Sequence, residues 1–315
     1  MTVISMALLL AIVTGVGLYL RHHPELFDHI RNLSIGSGLL LFLMSVLLLA
    51  ANGLYLRIFA KKFNLDLHVK EWFGLAAVTA MGNYLTPLSG GLVARAAYLK
   101  RRYDFPYANF LAMLAANYMI AFAVISVTGI VTLLTLTGSG SYSWPILLFF
   151  LATLSAILLV LLVSSTSIGS RHRWLLFAHN AMEGLNAIRR DGALLGKLIA
   201  LTVFSIAVGA LLLFVAFKST GFAIPFSAAL LIYLLTSYTV LINITPGNLG
   251  VQEVVTSLAA AILGAGADAG LLASLVVRAV AILAAFTLGP IFSYLLSREL
   301  IAASRVVQAD RKEFP

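Results

Sequence analysis

The sequence predicts an all-α polytopic membrane protein with six full transmembrane helices and two broken, re-entrant helical hairpins. Of the 315 residues, 61% are hydrophobic and only 10% are charged, whereas soluble proteins carry about 25% charged residues. Apolar runs of about 20 residues, the length that crosses a bilayer, recur from one end of the chain to the other. Two of the longer runs are interrupted near the middle by proline and glycine. The whole chain, residues 1–315, is therefore expected to form a single membrane domain.

The six full spans are predicted from uninterrupted apolar runs at residues 2–20, 34–60, 108–137, 144–164, 197–217 and 271–296. The first run has no basic residue before it and no small-residue cleavage site before Arg21. It is therefore interpreted as a retained helix rather than a signal peptide.

Two further apolar regions, 72–99 and 226–264, are predicted to be broken helices. The first is interrupted by "TPLSGG" (86–91) and the second by "TPGNLG" (245–250). Proline removes a backbone donor and glycine loosens a helix, so neither region is expected to form one continuous helix. Because the arm 72–86 has only fifteen residues, a re-entrant hairpin is favoured over a full crossing. Two short full crossings would nevertheless give the same topology for the rest of the chain.

The distribution of basic residues predicts the orientation of the helices. Sixteen of the 21 Lys and Arg residues lie in four predicted loops and at their borders: 61–71, 100–107, 165–196 and 297–315, with Arg57 and Lys197 beside them. Cytoplasmic loops of membrane proteins carry an excess of positive charge, so these loops and both termini are predicted to be cytoplasmic. The formal charge of +9 is interpreted in the same way, and not as a nucleic-acid-binding surface.

The pattern Thr-Pro-x-x-x-Gly occurs in both interruptions. Pro87 and Pro246 lie 159 positions apart, about half the length of the chain. Each lies in a unit of span, hairpin and span (34–137 and 197–296), and the predicted topology gives the two units opposite orientations. Inverted repeats with matched broken helices are typical of transporters that bind cargo near the middle of the membrane. The alternative is coincidence, because glycine and proline are common in membrane helices.

The segment 171–196 has an amphipathic helical pattern. Its apolar face includes Trp174, Phe177 and Leu185, and its polar face includes Arg189 and Arg190. Such a helix either lies on the cytoplasmic membrane surface, with its basic residues towards lipid phosphates, or simply connects two spans.

No cofactor is predicted. The chain has no cysteine, which excludes thiolate metal sites and thiol nucleophiles, and it has none of the common nucleotide-binding or hydrolase motifs. One cluster, His22, His23, Glu25, Asp28 and His29, has the chemistry of a metal site, but solvated residues of a short outer loop look the same. The chain is therefore predicted not to be an enzyme.

Three charged residues, Arg95, Glu253 and Arg278, lie within apolar sequence. Each costs about 2.5–3.5 kcal/mol at the centre of a membrane helix, so each needs a partner or a water-filled cavity. Glu253 is predicted to pair with Arg278, and the pair either contacts cargo or only holds the hairpin. Arg95 has no evident acidic partner. It is predicted either to bind an anion or to extend to the cytoplasmic head groups.

The candidate substrate or transport site comprises these three charges and the polar and helix-breaking residues near them. Some of the polar groups must satisfy backbone groups freed by the breaks. The further candidates are Asn83, Thr86, Pro87, Gly90, Gly91, Asn117, Asn243, Thr245, Pro246, Gly247, Asn248, Gly250 and Gln252.

The two breaks and the helix after the second one resemble a known family. "TPLSGGLVARAAYLKRR", "TPGNLGVQEVVTSLAAAILG" and "SLVVRAVAILAAFTLGPI" are similar to the transmembrane region of lysylphosphatidylglycerol synthases. This region also occurs as stand-alone, flippase-like bacterial and archaeal proteins. The family often has an acidic residue just after the glycine of the first block, where this chain has Leu92, Val93 and Ala94. The soluble aminoacyl-transferring domain is absent from this sequence, so lipid aminoacylation is not implied.

The resemblance implies a protein of the bacterial cytoplasmic (inner) membrane that moves an anionic phospholipid or a polyprenyl-phosphate-linked lipid between leaflets. Membrane lipids are then the expected partners, together with a lipid-synthesis enzyme, and nucleic acid is not expected. The leading site residues are Glu253, Arg278 and the residues of the breaks. Two alternatives stay open: a non-catalytic subunit that scaffolds or regulates a lipid- or glycan-modifying enzyme, and an ion-coupled carrier of a small solute with Glu253 as proton relay.

Overall fold

A computed structural model describes residues 34–135, 143–163 and 191–313, together with Thr14. All regular elements in this part of the chain are helices. The predicted span 2–20 apart from Thr14, the possible metal cluster around His22 and most of the amphipathic segment 171–196 lie outside the described residues.

Nine α-helices and two short 3₁₀ helices make up the described chain. The 3₁₀ helices are Tyr238–Ile242 and Pro246–Asn248. The α-helices are α1 (Ile35–Lys62), α2 (Val69–Leu85), α3 (Gly90–Tyr103), α4 (Tyr107–Thr135), α5 (Ser143–Val163), α6 (Gly192–Ser219), α7 (Phe226–Ser237), α8 (Val251–Ile262) and α9 (Ala267–Glu313).

Five of these helices, α1, α4, α5, α6 and α9, are long and apolar enough to cross a membrane. They confirm the multi-pass, all-α prediction, and four of them agree with the predicted spans to within about five residues. The exception is α9, which has 47 residues where 26 were predicted at 271–296. At 1.5 Å per residue it is about 70 Å long, more than twice the hydrocarbon thickness. The predicted cytoplasmic loop 297–315 is therefore wrong as a loop, since residues 297–313 continue the helix.

The start of α6 shows why it begins five residues before the predicted span. Asp191 caps the helix, accepting a hydrogen bond from the Leu194 N–H at 3.0 Å. Its carboxylate also lies 2.8 Å from the Lys62 ammonium at the end of α1. The hydrogen bond from Lys62, followed by that from Leu194, lowers the pKa of Asp191. This polar junction holds the ends of α1 and α6 together outside the apolar spans.

Large apolar side chains cover the outside of the helix bundle. Exposed examples on three spans include Leu43 of α1, Leu159 of α5 and Val203 of α6. Soluble monomeric proteins rarely expose large apolar surfaces, whereas a lipid-facing surface requires one. The exterior thus agrees with an integral membrane protein.

Helices α2 and α3 form the first hairpin, in which the two arms run antiparallel. At the tip, a Cβ on Gly82 of α2 would lie 2.8 Å from the Gly91 Cα of α3. At the base, the Tyr103 hydroxyl at the end of α3 donates to Glu71 Oε1 at 2.6 Å. The hairpin predicted for 72–99 is therefore present, with the break at residues 86–89, and its re-entrant placement in the membrane stays a prediction.

The carboxylate of Glu71 fastens the base of this hairpin. Glu71 is only 2% exposed, and its Oε2 accepts from the backbone N–H of His68, which caps α2. Its Oε1 also accepts from the Tyr98 hydroxyl at 3.1 Å. One buried acid thus caps the first arm and holds the second arm against it.

Helices α7 and α8, with the two 3₁₀ helices between them, form the second hairpin. The hydroxyls of Thr236 and Thr256 lie 3.1 Å apart across the two arms. Helix α9 packs closely behind α8, where a Cβ on Gly270 would lie 2.5 Å from the Ala260 Cβ. The break at 243–250 therefore lies at the tip of this hairpin, as predicted for 226–264.

The glycines of the first break act differently from the prediction. Gly90 and Gly91 do not loosen the chain, because both lie in the first turn of α3. A Cβ on Gly91 would collide with the Thr79 carbonyl of α2, so this glycine permits close packing of the two arms. The left-handed backbone of the turn falls instead on Leu88 (φ 56°) and Ser89 (φ 58°).

Candidate functional site

The tips of the two hairpins contact each other. The Asn243 side-chain amide of the second break donates to the Ser89 hydroxyl of the first at 2.5 Å. The backbone of Gly247 lies against the Tyr84 ring, where a Cβ would collide with the ring carbons. Residues 154 positions apart in the chain are thus brought to one place, although the symmetry relating their two units remains a prediction.

Glu253 and Arg278 form the predicted ion pair behind the second tip. Arg278 Nε lies 2.7 Å from Glu253 Oε1, and the two side chains are 10% and 3% exposed. Glu253 Oε2 accepts from the Gly250 N–H at 2.6 Å. The carboxylate therefore neutralises the arginine and caps α8 at the same time, which explains a charge in this apolar stretch.

The Nη groups of Arg278 donate hydrogen bonds to residues of the second helix break. Its Nη1 donates to the Gly247 carbonyl at 2.7 Å, and its Nη2 donates to Gln252 Oε1 at 2.8 Å. Longer contacts of 3.4 Å reach the Asn248 carbonyl and the Tyr84 hydroxyl. A carbonyl freed by a helix break must be satisfied inside a membrane, and Arg278 does this for the second break.

A cavity of about 490 Å³ lies beside the joined tips. Its polar lining includes Asn83 from the first hairpin, Asn117 from α4, and Asn243, Asn248 and Gln252 from the second break. None of the described residues that line it is Lys, Arg, Asp or Glu. This central cavity therefore carries several polar side chains but no charged one among the described residues, and neither Glu253 nor Arg278 lines it.

An apolar groove of about 400 Å³ lies next to the central cavity. It runs between α4, α5 and the 3₁₀ turn of the second hairpin, and Phe122 lines both spaces. The Phe122 ring stacks on the Tyr238 ring at 4.8 Å between centroids, and Tyr238 also lines the groove. A stacked aromatic pair thus lies where the polar space meets the apolar one.

Arg95 lies away from both tips, among α1, α2 and α4. It is 7% exposed, so the expectation that it extends to the cytoplasmic head groups is wrong. Its Nε donates to the Thr79 hydroxyl at 2.8 Å and its Nη2 to Asn52 Oδ1 at 2.7 Å. These partners hold the guanidinium inside the bundle. A smaller cavity of about 80 Å³ adjoins it.

The candidate residues fall into three groups. Six of them line the central cavity: Asn83, Asn117, Asn243, Gly247, Asn248 and Gln252. Arg95 lines the smaller cavity together with Asn117. The others line neither space and lie in or behind the breaks: Thr86, Pro87, Gly90, Gly91, Thr245, Pro246, Gly250, Glu253 and Arg278.

Several cavity residues were not anticipated. The Tyr55 hydroxyl of α1 donates to the Thr202 hydroxyl of α6 at 2.8 Å, and both side chains line the central cavity. Ser205 lines it one turn further along α6. The signal was available, because a tyrosine in span 34–60 and hydroxyl residues three positions apart in span 197–217 stand out in apolar sequence.

Comparison with protein families identifies the chain. A family model described as the lysylphosphatidylglycerol synthase TM region matches residues 2–289. The chain belongs to this family. Both breaks and the Glu253–Arg278 pair of this lysylphosphatidylglycerol synthase TM region lie inside the match. A search of curated proteins finds no match to the chain.

Proposed function

We propose that this family member moves phospholipid-type lipids between the two leaflets of a bacterial cytoplasmic membrane, and that it is a transporter rather than an enzyme. The substrate class is an anionic phospholipid or a polyprenyl-phosphate-linked lipid. Family membership, the multi-pass fold and the contact surface for membrane lipids support this proposal.

One observation carries the proposal: the central cavity, with its polar side chains, adjoins an apolar groove at Phe122. A lipid needs both kinds of surface, because its head group must stay hydrogen-bonded while its acyl chains stay in an apolar environment. Asn117, Asn243 and the hydroxyls of α6 offer hydrogen bonds to the head group. The groove lined by Phe149, Ile157 and Val160 offers the matching surface to the chains.

The contact geometry favours a lipid over a proton-coupled small solute. A relay role for Glu253 requires a carboxylate that is free to exchange protons with the cavity. Both of its oxygens are instead engaged, one by Arg278 and one by the Gly250 N–H. The scaffolding alternative assigns docking to residues 165–196, most of which lie outside the described residues.

Leaflet exchange of labelled lipids in liposomes tests the proposal. The purified protein is reconstituted, and exchange of fluorescent phosphatidylglycerol is measured by chemical quenching of the outer leaflet. Exchange faster than in empty liposomes is expected. Ala156→Trp, which fills the groove lined by Ala156 and Tyr238, is expected to reduce the rate about tenfold or more, since it blocks the path of the acyl chains.

The matched control is Ala152→Trp on the same helix. Ala152 is exposed and lines no groove, so the same substitution there is expected to leave exchange unchanged. Equal loss in both variants would indicate general damage to α5. No exchange above empty liposomes with several anionic lipids would overturn the proposal.

A further inference from the structure

Arg95 is a buried cation with no carboxylate partner among the described residues. It is 7% exposed, and its hydrogen bonds go to the neutral Thr79 hydroxyl and the neutral Asn52 amide. A buried charge that lacks a counter-ion is strongly unfavourable in a membrane protein. Neither partner neutralises the guanidinium, so its charge requires a counter-ion or water in the adjoining cavity.

The guanidinium has spare donors beside a cavity. Arginine carries five N–H groups, and the two hydrogen bonds to Thr79 and Asn52 use only one on Nε and one on Nη2. Arg95 also lines the cavity of about 80 Å³. That volume corresponds to about two or three water molecules, which is room for one compact group but not for a whole lipid.

The smaller cavity is continuous in its lining with the central cavity. Tyr55, Asn117 and Tyr118 line both spaces. No other described residue shares a hydrogen bond with the Asn117 amide, so its donors are available to a ligand. Asn117 therefore lies beside both spaces, next to a ligand in either one.

Arg278, the other buried arginine, has its charge and its N–H groups paired within the protein. Arg278 has a carboxylate at 2.7 Å and backbone and side-chain acceptors around its remaining donors. It needs no ligand. Arg95 has the same depth of burial, fewer acceptors and no carboxylate, and it lies beside open space.

We infer that the Arg95 pocket is an anion site that binds a phosphate group, with Arg95 as the charged contact and Asn117 as a hydrogen-bond donor beside it. Guanidinium binds phosphate oxygens through two parallel hydrogen bonds, which suits the free side of Arg95. This assigns charge recognition to the first hairpin rather than to the Glu253–Arg278 pair. The inference deepens the proposed function by naming the charged subsite of the substrate, but it requires only binding and not translocation.

The test measures binding by the protein purified in an uncharged detergent, separately from leaflet exchange. Thermal unfolding is followed while three probes are titrated: inorganic phosphate, short-chain phosphatidylglycerol and short-chain diacylglycerol. A ligand that binds the folded state raises the unfolding temperature with concentration. Phosphatidylglycerol is expected to stabilise the protein, and diacylglycerol, which lacks the phosphate, is not.

Titration with inorganic phosphate distinguishes a lipid head group from a free anion as the ligand. Stabilisation by phosphatidylglycerol alone identifies a lipid head group as the ligand, whereas an equal response to inorganic phosphate identifies a free-anion site. Either result supports an anion site at Arg95 if Arg95→Gln weakens the binding by about tenfold or more, the loss expected for a charge-assisted hydrogen bond. Arg95→Lys retains the positive charge but lacks the planar guanidinium that donates two parallel hydrogen bonds. It is expected to bind with intermediate affinity.

The charge-neutral double variant Glu253→Gln/Arg278→Gln is the matched control. It removes the other buried arginine without leaving an unpaired charge, and it is expected to retain the affinity for phosphatidylglycerol. Wild-type protein that responds to neither phosphate probe, or Arg95→Gln that responds like wild type, would overturn the inference. Normal binding without leaflet exchange would overturn the proposed function alone, and normal leaflet exchange by the wild type together with unchanged phosphatidylglycerol binding by Arg95→Gln would overturn the inference alone.

Discussion

The two helix breaks meet at their tips, yet each is held together by different chemistry. The second break is fastened by charge: Arg278 binds Glu253 and the freed carbonyl of Gly247. The first break is fastened by close packing, with Gly91 of α3 against the backbone of α2 at Thr79. Its arginine, Arg95, takes no part in the turn and lies among neutral partners.

This difference shows that similar sequence patterns can have unequal roles. Each break has a Thr-Pro-x-x-x-Gly pattern followed by an apolar helix with a charged residue in its early turns. In the second break the charge is used to hold the structure, so it is unavailable to a ligand. In the first break Arg95 donates to Thr79 and Asn52 but has no carboxylate partner among the described residues, so N–H groups remain for a ligand.

The largest expected effect comes from separating the ion pair of the second break. Glu253→Gln leaves Arg278 buried without a counter-ion and weakens the cap of α8, so a loss of about 3–5 kcal/mol in the free energy of unfolding is expected. Arg95→Gln, at equal burial, is expected to cost far less because no carboxylate is left unpaired. Denaturant unfolding in detergent micelles measures both.

A double-mutant cycle sharpens this comparison. Arg278→Met combined with Glu253→Gln removes both charges and is expected to recover part of the loss. If Glu253→Gln proves no more destabilising than Arg95→Gln, the assignment of a structural charge to the second break and a free charge to the first is wrong.

A smaller effect is expected from filling the close contact of the first break. Gly91→Ala places a methyl group against the Thr79 carbonyl, which belongs to a helix backbone and cannot move aside freely. A loss of about 1–3 kcal/mol is expected, as for other overpacked sites. The control is Gly38→Ala in α1, where nothing lies within 4 Å of the new methyl group. That substitution is expected to stabilise the helix by about 0.5–1 kcal/mol. If both substitutions lowered the free energy of unfolding, the close contact with Thr79 would not be the cause of the loss at Gly91.

The smallest effect is expected from the backbone of the turn. Leu88 has a φ of 56° and is half exposed, and the left-handed conformation costs a non-glycine residue about 1–2 kcal/mol. Leu88→Gly is therefore expected to stabilise the protein by up to about 1 kcal/mol, since the greater flexibility of glycine offsets part of the gain. Gly264→Ala, at φ 77° in open space, is the reverse experiment and is expected to destabilise by about 1 kcal/mol. If Leu88→Gly and Gly264→Ala changed the free energy of unfolding in the same direction, the positive φ would not be the cause of the changes.

Much of the fold could be predicted because membrane helices leave strong sequence signals. Long apolar runs located α1, α4, α5 and α6 closely, and proline with glycine located both breaks. The pair of Glu253 and Arg278 could also be predicted, since an unpaired charge is costly in apolar sequence. The end of α9 could not, because polarity after residue 296 indicates an exit from the membrane but does not end a helix.

The cavities could not be predicted, because they depend on how separate helices pack. Asn117 stood out as a polar residue in span 108–137, but nothing in the sequence showed that it lines two spaces at once. Glu71 was missed for a related reason. It precedes the apolar run of α2 and looks like a loop residue, whereas α3 folds back to bury it beneath Tyr98 and Tyr103.

Helix α9 contacts both hairpins. Near its start, Arg278 holds the second break. Three turns later, Gly289 packs on Met81, and beyond it the Phe292 ring lies 5.2 Å from the Phe73 ring of α2. Pro290 lies within the attachment to the first hairpin, between Gly289 and Phe292, and removes one backbone hydrogen bond there. Because both hairpins are attached to α9, a displacement of either one must bend this helix or carry it along.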